Sequence, residues 1–134
     1  MLSMITLDTH VIIWDALNPA LLSKTARKAI DRANDADGII FCEISLWEIA
    51  MLAKRNRLII DISYIEFINL LKASNNYHFK GLSPEAAELS ANLPAEINRD
   101  PADRMICATA IVNNSSLVTA DKNLRRAGSV KTIW

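Results

Sequence analysis

Short apolar runs alternate with longer segments of helical periodicity along almost the whole chain. The runs lie at residues 4–7, 38–41 and 115–121, with weaker ones at 77–82 and 130–134. The segments between them repeat apolar residues every three or four positions, the spacing that buries one face of a helix; they cover 21–34, 44–56, 62–74, 83–92 and the residues after Pro101. Strands this short and apolar, alternating with helices, predict an α/β protein with a mostly parallel sheet covered on both faces.

The length and charge of the chain limit its organisation. A chain of 134 residues can bury a core but is short for two ordinary domains, so one domain over 1–134 is expected. The formal net charge of zero argues against a general polyanion binder. Carboxylates gathered around a metal ion would no longer count as free negative charge, and the remaining surface would then be more basic. Basic residues crowd the last third of the chain: Arg99, Arg104, Lys122, Arg125, Arg126 and Lys131.

The cysteines and the start of the chain bear on location. Cys42 and Cys107 each lie in an apolar run and are predicted to be buried thiols, not a disulfide or a zinc site. No basic leader with an apolar core opens the chain, and no stretch reaches the roughly 18 apolar residues that span a bilayer. We therefore expect a cytoplasmic protein in a reducing compartment, with no membrane partner.

Acidic residues directly follow two of the predicted strands. Asp8 directly follows the run at 4–7, and Asp121 directly follows SLVTA at 116–120. In open parallel α/β sheets, ligands bind beyond the carboxyl ends of the strands. Each aspartate could instead simply cap the helix that follows it.

Glu48 is the one charged residue among residues 44–53 and shares a helix face with Ile44 and Leu52. A carboxylate placed against the domain needs a partner. One explanation is local, because Ser45 to Glu48 spells the S-x-x-E capping box. A functional explanation stays equally open.

The segment Asp100-Pro101-Ala102-Asp103 has the same ambiguity. Aspartate at the N-cap, proline at the first helical position and an acid at the third are what a helix start favours. Local rules thus account for both carboxylates. They do not exclude a metal ligand at one of them.

Convergence of these acids would have a chemical consequence. If the strands that carry Asp8 and Asp121 are neighbours, both can meet Glu48 and the acids of 100–103 in one crevice. Clustered carboxylates cannot all stay ionised without cations. Oxygen ligands with no histidine or thiolate close in sequence favour Mg²⁺ or Mn²⁺ over Zn²⁺. Glycine-rich nucleotide-binding loops are absent from the sequence, so that class of site is excluded.

Four segments, taken in order, resemble the motifs of the PIN-domain ribonucleases, specifically the VapC-type toxins of bacterial toxin–antitoxin pairs. They are ITLDTHVIIW, ISLWEIAMLAKRNRL, LPAEINRDPADRMICATA and LVTADKNL, at 5–14, 44–58, 93–110 and 117–124. The resemblance covers nearly the whole chain. It implies a three-layer α/β/α fold with a short, mostly parallel central sheet. It also implies a Mg²⁺- or Mn²⁺-dependent endoribonuclease that is usually a homodimer and is neutralised by a small VapB-like antitoxin.

Carried over by position, the resemblance implies that Asp8, Glu48, Asp103 and Asp121 are the catalytic metal ligands. Thr9 and Thr119 would be supporting hydroxyls, and Asp100 would remain a helix cap. Relatives often have glycine where this chain has Asn56 and Arg99, and Glu43 adds an acid near the second motif. Candidate RNA-binding residues are Arg104, Lys122, Arg125 and Arg126. The apolar helices around Trp47 and over 62–71 would supply surface for protein partners.

Two other functions compete with this interpretation. A non-catalytic PIN-like binding domain would not need all four acids, which the chain retains. A small metal-dependent phosphohydrolase would act on a small molecule in an enclosed pocket, whereas an RNA nuclease needs an open basic groove.

Overall fold

The computed structural model describes residues 4–134, which form five strands and seven α-helices. The strands are β1 (Ile5–Leu7), β2 (Ile39–Cys42), β3 (Tyr77–Lys80), β4 (Ser116–Val118) and β5 (Thr132–Ile133). The helices are α1 (Thr9–Leu17), α2 (Lys24–Asn34), α3 (Ile44–Lys54), α4 (Tyr64–Ser74), α5 (Pro84–Asn92), α6 (Pro101–Val112) and α7 (Lys122–Ala127). A short 3₁₀ turn at Pro19–Leu21, which the sequence pattern does not predict, joins α1 to α2.

The strands form one parallel sheet in the order β3-β2-β1-β4-β5. The predicted parallel sheet is therefore confirmed. In the sheet, β2 lies on one side of β1 and β4 lies on the other, where Leu7 is paired with Val118. This reversal beside β1 is a switch point, where the ends of two neighbouring strands open a crevice. Asp8 and Thr119 come directly after the paired residues.

Helices cover both faces of the sheet. Along β2, Ile39 and Phe41 belong to one buried cluster, whereas Ile40 and Cys42 belong to a second cluster on the opposite face. Successive strand residues point to opposite faces, so two such clusters mean that both faces are buried. This is the three-layer α/β/α arrangement that the resemblance implies. Both cysteines are free and buried, as predicted.

Local signals place the helix ends. Ser23 caps α2 by accepting a hydrogen bond from the Ala26 amide, as its position in the sequence predicts. Asn56 takes the left-handed conformation expected just after α3, with φ of 56°. Within residues 4–134, none of the helices combines the length and the apolar character needed to cross a bilayer.

Candidate active site

The four acids singled out in the sequence come together at the carboxyl end of the sheet. Asp8 and Asp121 are the N-caps of α1 and α7, Glu48 lies in α3, and Asp103 lies in the first turn of α6. All four line one cavity of about 320 Å³. The other lining residues are His10, Val11, Trp14, Asp100 and Ala120.

Asp8 is buried and held by two donors. The Thr9 amide donates to Oδ1 at 2.8 Å, and the Thr119 hydroxyl donates to Oδ2 at 2.7 Å. Burial raises the pKa of Asp8, while the hydrogen bond from Thr119 acts in the opposite direction. Thr119 therefore stabilises a buried negative charge.

Glu48 depends on the other threonine. The Thr9 hydroxyl donates to Glu48 Oε1 and lies 2.7 Å from the Ser45 hydroxyl. The capping box considered for Ser45 and Glu48 is wrong, because α3 already begins at Ile44, and Ser45 is buried inside it. Burial raises the pKa of Glu48. This carboxylate therefore faces the cavity and not the start of its own helix.

The two aspartates of the α6 start have distinct contacts. Asp100 is the N-cap of α6 and accepts a hydrogen bond from the Ala102 amide at 2.8 Å, so the predicted cap is confirmed. Capping is not its whole role. Oxygen atoms of Glu48, Asp100 and Asp103 lie within 4.8 Å of one another. Asp100 thus caps the helix and also contributes a carboxylate to the acidic cluster.

Asn98 is a site residue that sequence reasoning missed. Its Nδ2 donates to Asp103 Oδ2 at 3.1 Å and to Asp121 Oδ2 at 3.0 Å, and its Oδ1 accepts from Asn123 Nδ2 at 3.1 Å. The amide bridges carboxylates from two different elements. Nothing in the local pattern around position 98 signals this, because the partners come together only in the folded chain.

The electrostatics of the cavity favour a cation. Burial, together with the charges of Asp8, Asp100, Glu48 and Asp121, raises the pKa of Asp103 to about 7. A divalent cation would relieve this repulsion. Carboxylate oxygens are the ligands that hard divalent cations prefer. The residues present therefore fit such an ion. Glu48 and Asp103 belong to the predicted ligand set, and together with Asp100 they form a trio of carboxylates whose oxygen atoms lie within 4.8 Å of one another.

Comparison with known proteins supports the same family. The sequence matches the PIN-domain family profile over residues 5–130, nearly the entire chain. The chain belongs to the PIN-domain family. It is 35% identical over 132 residues to Ribonuclease VapC22 of Mycobacterium tuberculosis, an alignment that covers 97% of this chain and 98% of that protein.

Solved structures share the fold of this PIN domain. VapBC2 from Rickettsia felis, bound to a DNA fragment from its promoter, has a TM-score of 0.71 at 16% identity over 96% of both chains. DNA-bound VapBC from Salmonella typhimurium has a TM-score of 0.71 at 17% identity, covering 98% of this chain and 97% of that one. FitAcB from Neisseria gonorrhoeae has a TM-score of 0.63 at 20% identity over 96% of both chains.

The PIN domain separates the four basic residues that were predicted to contact RNA. Lys122, Arg125 and Arg126 line one groove of about 540 Å³ with Thr132 and Trp134. Arg104 does not line it. Its guanidinium instead donates to four backbone carbonyls in the segment before α6, those of Ser90, Leu93, Pro94 and Asn98. Arg104 therefore positions this segment, and its guanidinium is engaged by backbone carbonyls rather than free for a phosphate.

A second groove, of about 920 Å³, adjoins the acidic cavity and shares His10, Glu48 and Asp100 with it. Its apolar side chains include Trp47, which is 57% exposed, and its cations are Arg55, Arg57 and Arg99. Glu43 lines neither space, and its carboxylate lies beside Gly81 instead. The extra acid of the second motif is thus not part of the site.

Proposed function

We propose that this PIN domain is a metal-dependent endoribonuclease toxin, inhibited by a cognate VapB-like antitoxin. The observation that carries the proposal is the convergence of Asp8, Glu48, Asp103 and Asp121 on one cavity. The name of the similar mycobacterial protein, Ribonuclease VapC22, points to the same substrate class. Hydrolysis of a phosphodiester at such a site needs no nucleophilic side chain.

The proposed cofactor is Mg²⁺ or Mn²⁺, held by Asp8, Glu48, Asp103 and Asp121. When bound, the ion supplies Lewis-acid chemistry, activating water and offsetting negative charge on the phosphate. Thr9 and Thr119 support the site by donating to Glu48 and Asp8. Asn98 holds Asp103 beside Asp121.

The phosphate backbone of RNA would be repelled by the acidic cavity and needs nearby cations. Lys122, Arg125 and Arg126 are exposed, and Lys122 is the residue next to Asp121. We assign these three residues to phosphate binding. Neither ion pair found within residues 4–134 uses them, since both belong to Arg27.

The two rival functions fit the site less well. A purely binding PIN-like domain would not need a cluster of carboxylates, and burial and mutual repulsion make this cluster unfavourable, as the raised pKa values of Asp103 and Glu48 indicate. A small-molecule phosphohydrolase needs an enclosed pocket, whereas here the acidic cavity adjoins the larger groove around Trp47, with which it shares His10, Glu48 and Asp100.

Cleavage of total cellular RNA tests the proposal. Purified protein is incubated with Mg²⁺, with Mn²⁺ and with excess EDTA, alongside Asp103→Asn and a matched surface variant, Asp35→Asn, in the exposed turn after α2. We expect cleavage by the parent and by Asp35→Asn only when a metal is present, and none by Asp103→Asn. Cleavage that persists in excess chelator would refute metal dependence.

We also propose a cytoplasmic homodimer that binds the antitoxin. The buried free cysteines suit a reducing compartment. Exposed apolar side chains near the site and on α4, including Trp47, Ile65 and Leu70, supply surface for protein contacts. Light scattering tests the dimer, and co-purification with the product of an adjacent small gene tests the antitoxin. A strict monomer at micromolar concentration would argue against the first half.

A further inference from the structure

The groove between α7 and β5 combines charge with an aromatic wall. Lys122, Arg125 and Arg126 are exposed on its α7 side, and Thr132 and the half-buried Trp134 form its β5 side. A volume of about 540 Å³ is enough for a nucleotide-sized group. Cations beside an aromatic face are the combination that binds single-stranded nucleic acid, where phosphates meet the charges and bases stack on the ring.

Aromatic contacts connect this groove to the acidic cavity. The Trp134 ring packs against Trp14, with ring centroids 5.8 Å apart, and Trp14 lines the acidic cavity. On the other side, Lys122 directly follows Asp121 in the chain. The groove and the cavity are therefore connected through two pairs of their lining residues, Trp134 with Trp14 and Lys122 with Asp121, which suits consecutive nucleotides of one strand.

We propose that this groove is a nucleotide subsite for single-stranded RNA, in which Lys122, Arg125 and Arg126 hold phosphates and one base stacks on the Trp134 indole. The inference rests on the proposed ribonuclease function, because the adjoining acidic cavity must take the scissile phosphate. Bases in a duplex are already stacked on their neighbours and cannot reach a side chain in this way. The subsite thus selects unpaired segments of RNA.

Binding of short labelled RNA, followed by fluorescence anisotropy in EDTA, separates stacking from charge. Trp134→Ala should weaken binding of a single-stranded octamer about ten-fold and leave binding of a duplex unchanged. Trp134→Phe, which keeps a ring, should retain most of the affinity. Arg125→Ala should weaken both RNAs and reduce the salt dependence of binding. The matched control is Lys80→Ala, an exposed cation on β3 at the opposite edge of the sheet, which should change neither.

Trp134 also packs against the core, so Trp134→Ala could bind poorly because it is unstable. A scan of the octamer with single abasic sites, bound to the unaltered protein, avoids this problem. One abasic position should lose about ten-fold in affinity for the unaltered protein, and the same position should show a loss with Trp134→Phe, because that variant keeps a ring for the base to stack on. An even loss at all positions overturns the stacking role.

Two further results would contradict the subsite. The first is that Lys80→Ala weakens RNA binding as much as Arg125→Ala does. The second is that polyglutamate competes for the groove as well as single-stranded RNA does, which would make it a surface for an acidic protein. Cleavage of total RNA by the unaltered protein is scored separately. If the protein cleaves RNA but the abasic scan shows no stacking, only the proposed subsite is wrong. If the scan shows stacking but the protein does not cleave RNA, only the proposed ribonuclease function is wrong.

Discussion

The hydroxyl of Thr119 donates a hydrogen bond of 2.7 Å to the carboxylate of Asp8, joining two residues 111 positions apart. The contact exists because β1 and β4 are parallel neighbours whose ends lie side by side. It stabilises a charge that burial otherwise disfavours. Strand pairing and the electrostatics of the site are therefore coupled at this point.

Replacement of Thr119 by valine tests that coupling. Thr119→Val keeps the shape but removes both the donor to the buried Asp8 carboxylate and the acceptor of the Asp121 amide, so it should lower the free energy of unfolding by about 1–2 kcal/mol at neutral pH. Denaturant unfolding of metal-free protein measures the effect. Thr25→Val, at an exposed position in α2, is the control and should change little. Equal stability of the two variants would deny Thr119 this role.

Substitutions at Asp100 separate its capping role from its charge. Asp100→Ala should cost about 1 kcal/mol of stability because the α6 cap is lost. Asp100→Ser, which keeps a capping oxygen, should retain stability while reducing Mn²⁺ affinity, because one carboxylate leaves the trio. Isothermal titration with Mn²⁺ alongside denaturant unfolding gives both quantities. Unchanged Mn²⁺ affinity in Asp100→Ser would show that Asp100 acts only as the helix cap.

Asp103→Asn should behave in the opposite way. Removing one charge from the metal-free cluster relieves repulsion, so the variant should be at least as stable as the parent. It should nevertheless lose Mn²⁺ affinity and RNA cleavage. Retained Mn²⁺ affinity, measured by the same titration, would remove Asp103 from the ligand set.

The pH dependence of stability follows from the raised pKa of Asp103. In the folded, metal-free protein this pKa is about 7, well above its value of about 4 in an unfolded chain. Folding therefore favours the protonated form, and the associated stability is full below about pH 4 and is lost as pH rises through 7. Stability in EDTA should thus fall between about pH 4 and pH 7 by this contribution and level off above pH 7, as urea unfolding would show. The fall should be smaller in Asp103→Asn and should largely vanish in excess Mn²⁺.

Asn98→Ala removes the amide shared by Asp103 and Asp121. The two carboxylates then repel each other without a bridging donor, so metal-free stability should fall by about 1 kcal/mol. Saturating Mn²⁺ should restore much of that loss if the ion takes over the neutralising role. Asn92→Ala, which removes an exposed amide bonded to the Glu88 carbonyl, is the matched control. A loss that Mn²⁺ leaves untouched would show that Asn98 supports only the loop.

Arg104→Lys distinguishes a structural arginine from a phosphate contact. Lysine keeps the charge but cannot reach four carbonyls in a fixed fork, so stability should fall by about 2 kcal/mol. Hydrogen exchange in residues 90–98 should become faster. If stability and exchange are unchanged but RNA binding is lost, Arg104 would instead be an RNA contact.

Much of the fold could be predicted from local signals. Short apolar runs and helical periodicity indicate which side chains are buried, because the apolar face of a strand or helix packs against the rest of the protein. Helix starts such as Ser23 and Asp100 were readable because a cap bonds to amides two or three residues away. Lys122, Arg125 and Arg126 were predicted to contact RNA together with Arg104, but only these three share a groove, because Arg104 lies in α6 with its guanidinium bonded to backbone carbonyls. That residues 1–134 form one domain stays a prediction.

The sequence by itself determined the alternation of strands with helices and the residues that carry negative charge at the ends of strands, although it did not predict the 3₁₀ turn at Pro19–Leu21. Only the tertiary structure decided what those charges contact. The strand order brings Asp8 next to Thr119, and the packing of α1 on α3 brings Glu48 next to Thr9. The loop before α6 places the Asn98 amide between two carboxylates. Arg104 donates to a backbone carbonyl of the same loop. Local sequence patterns cannot specify these contacts. Most of them join residues that are far apart in the sequence, and the distance between such residues depends on how the whole chain between them folds.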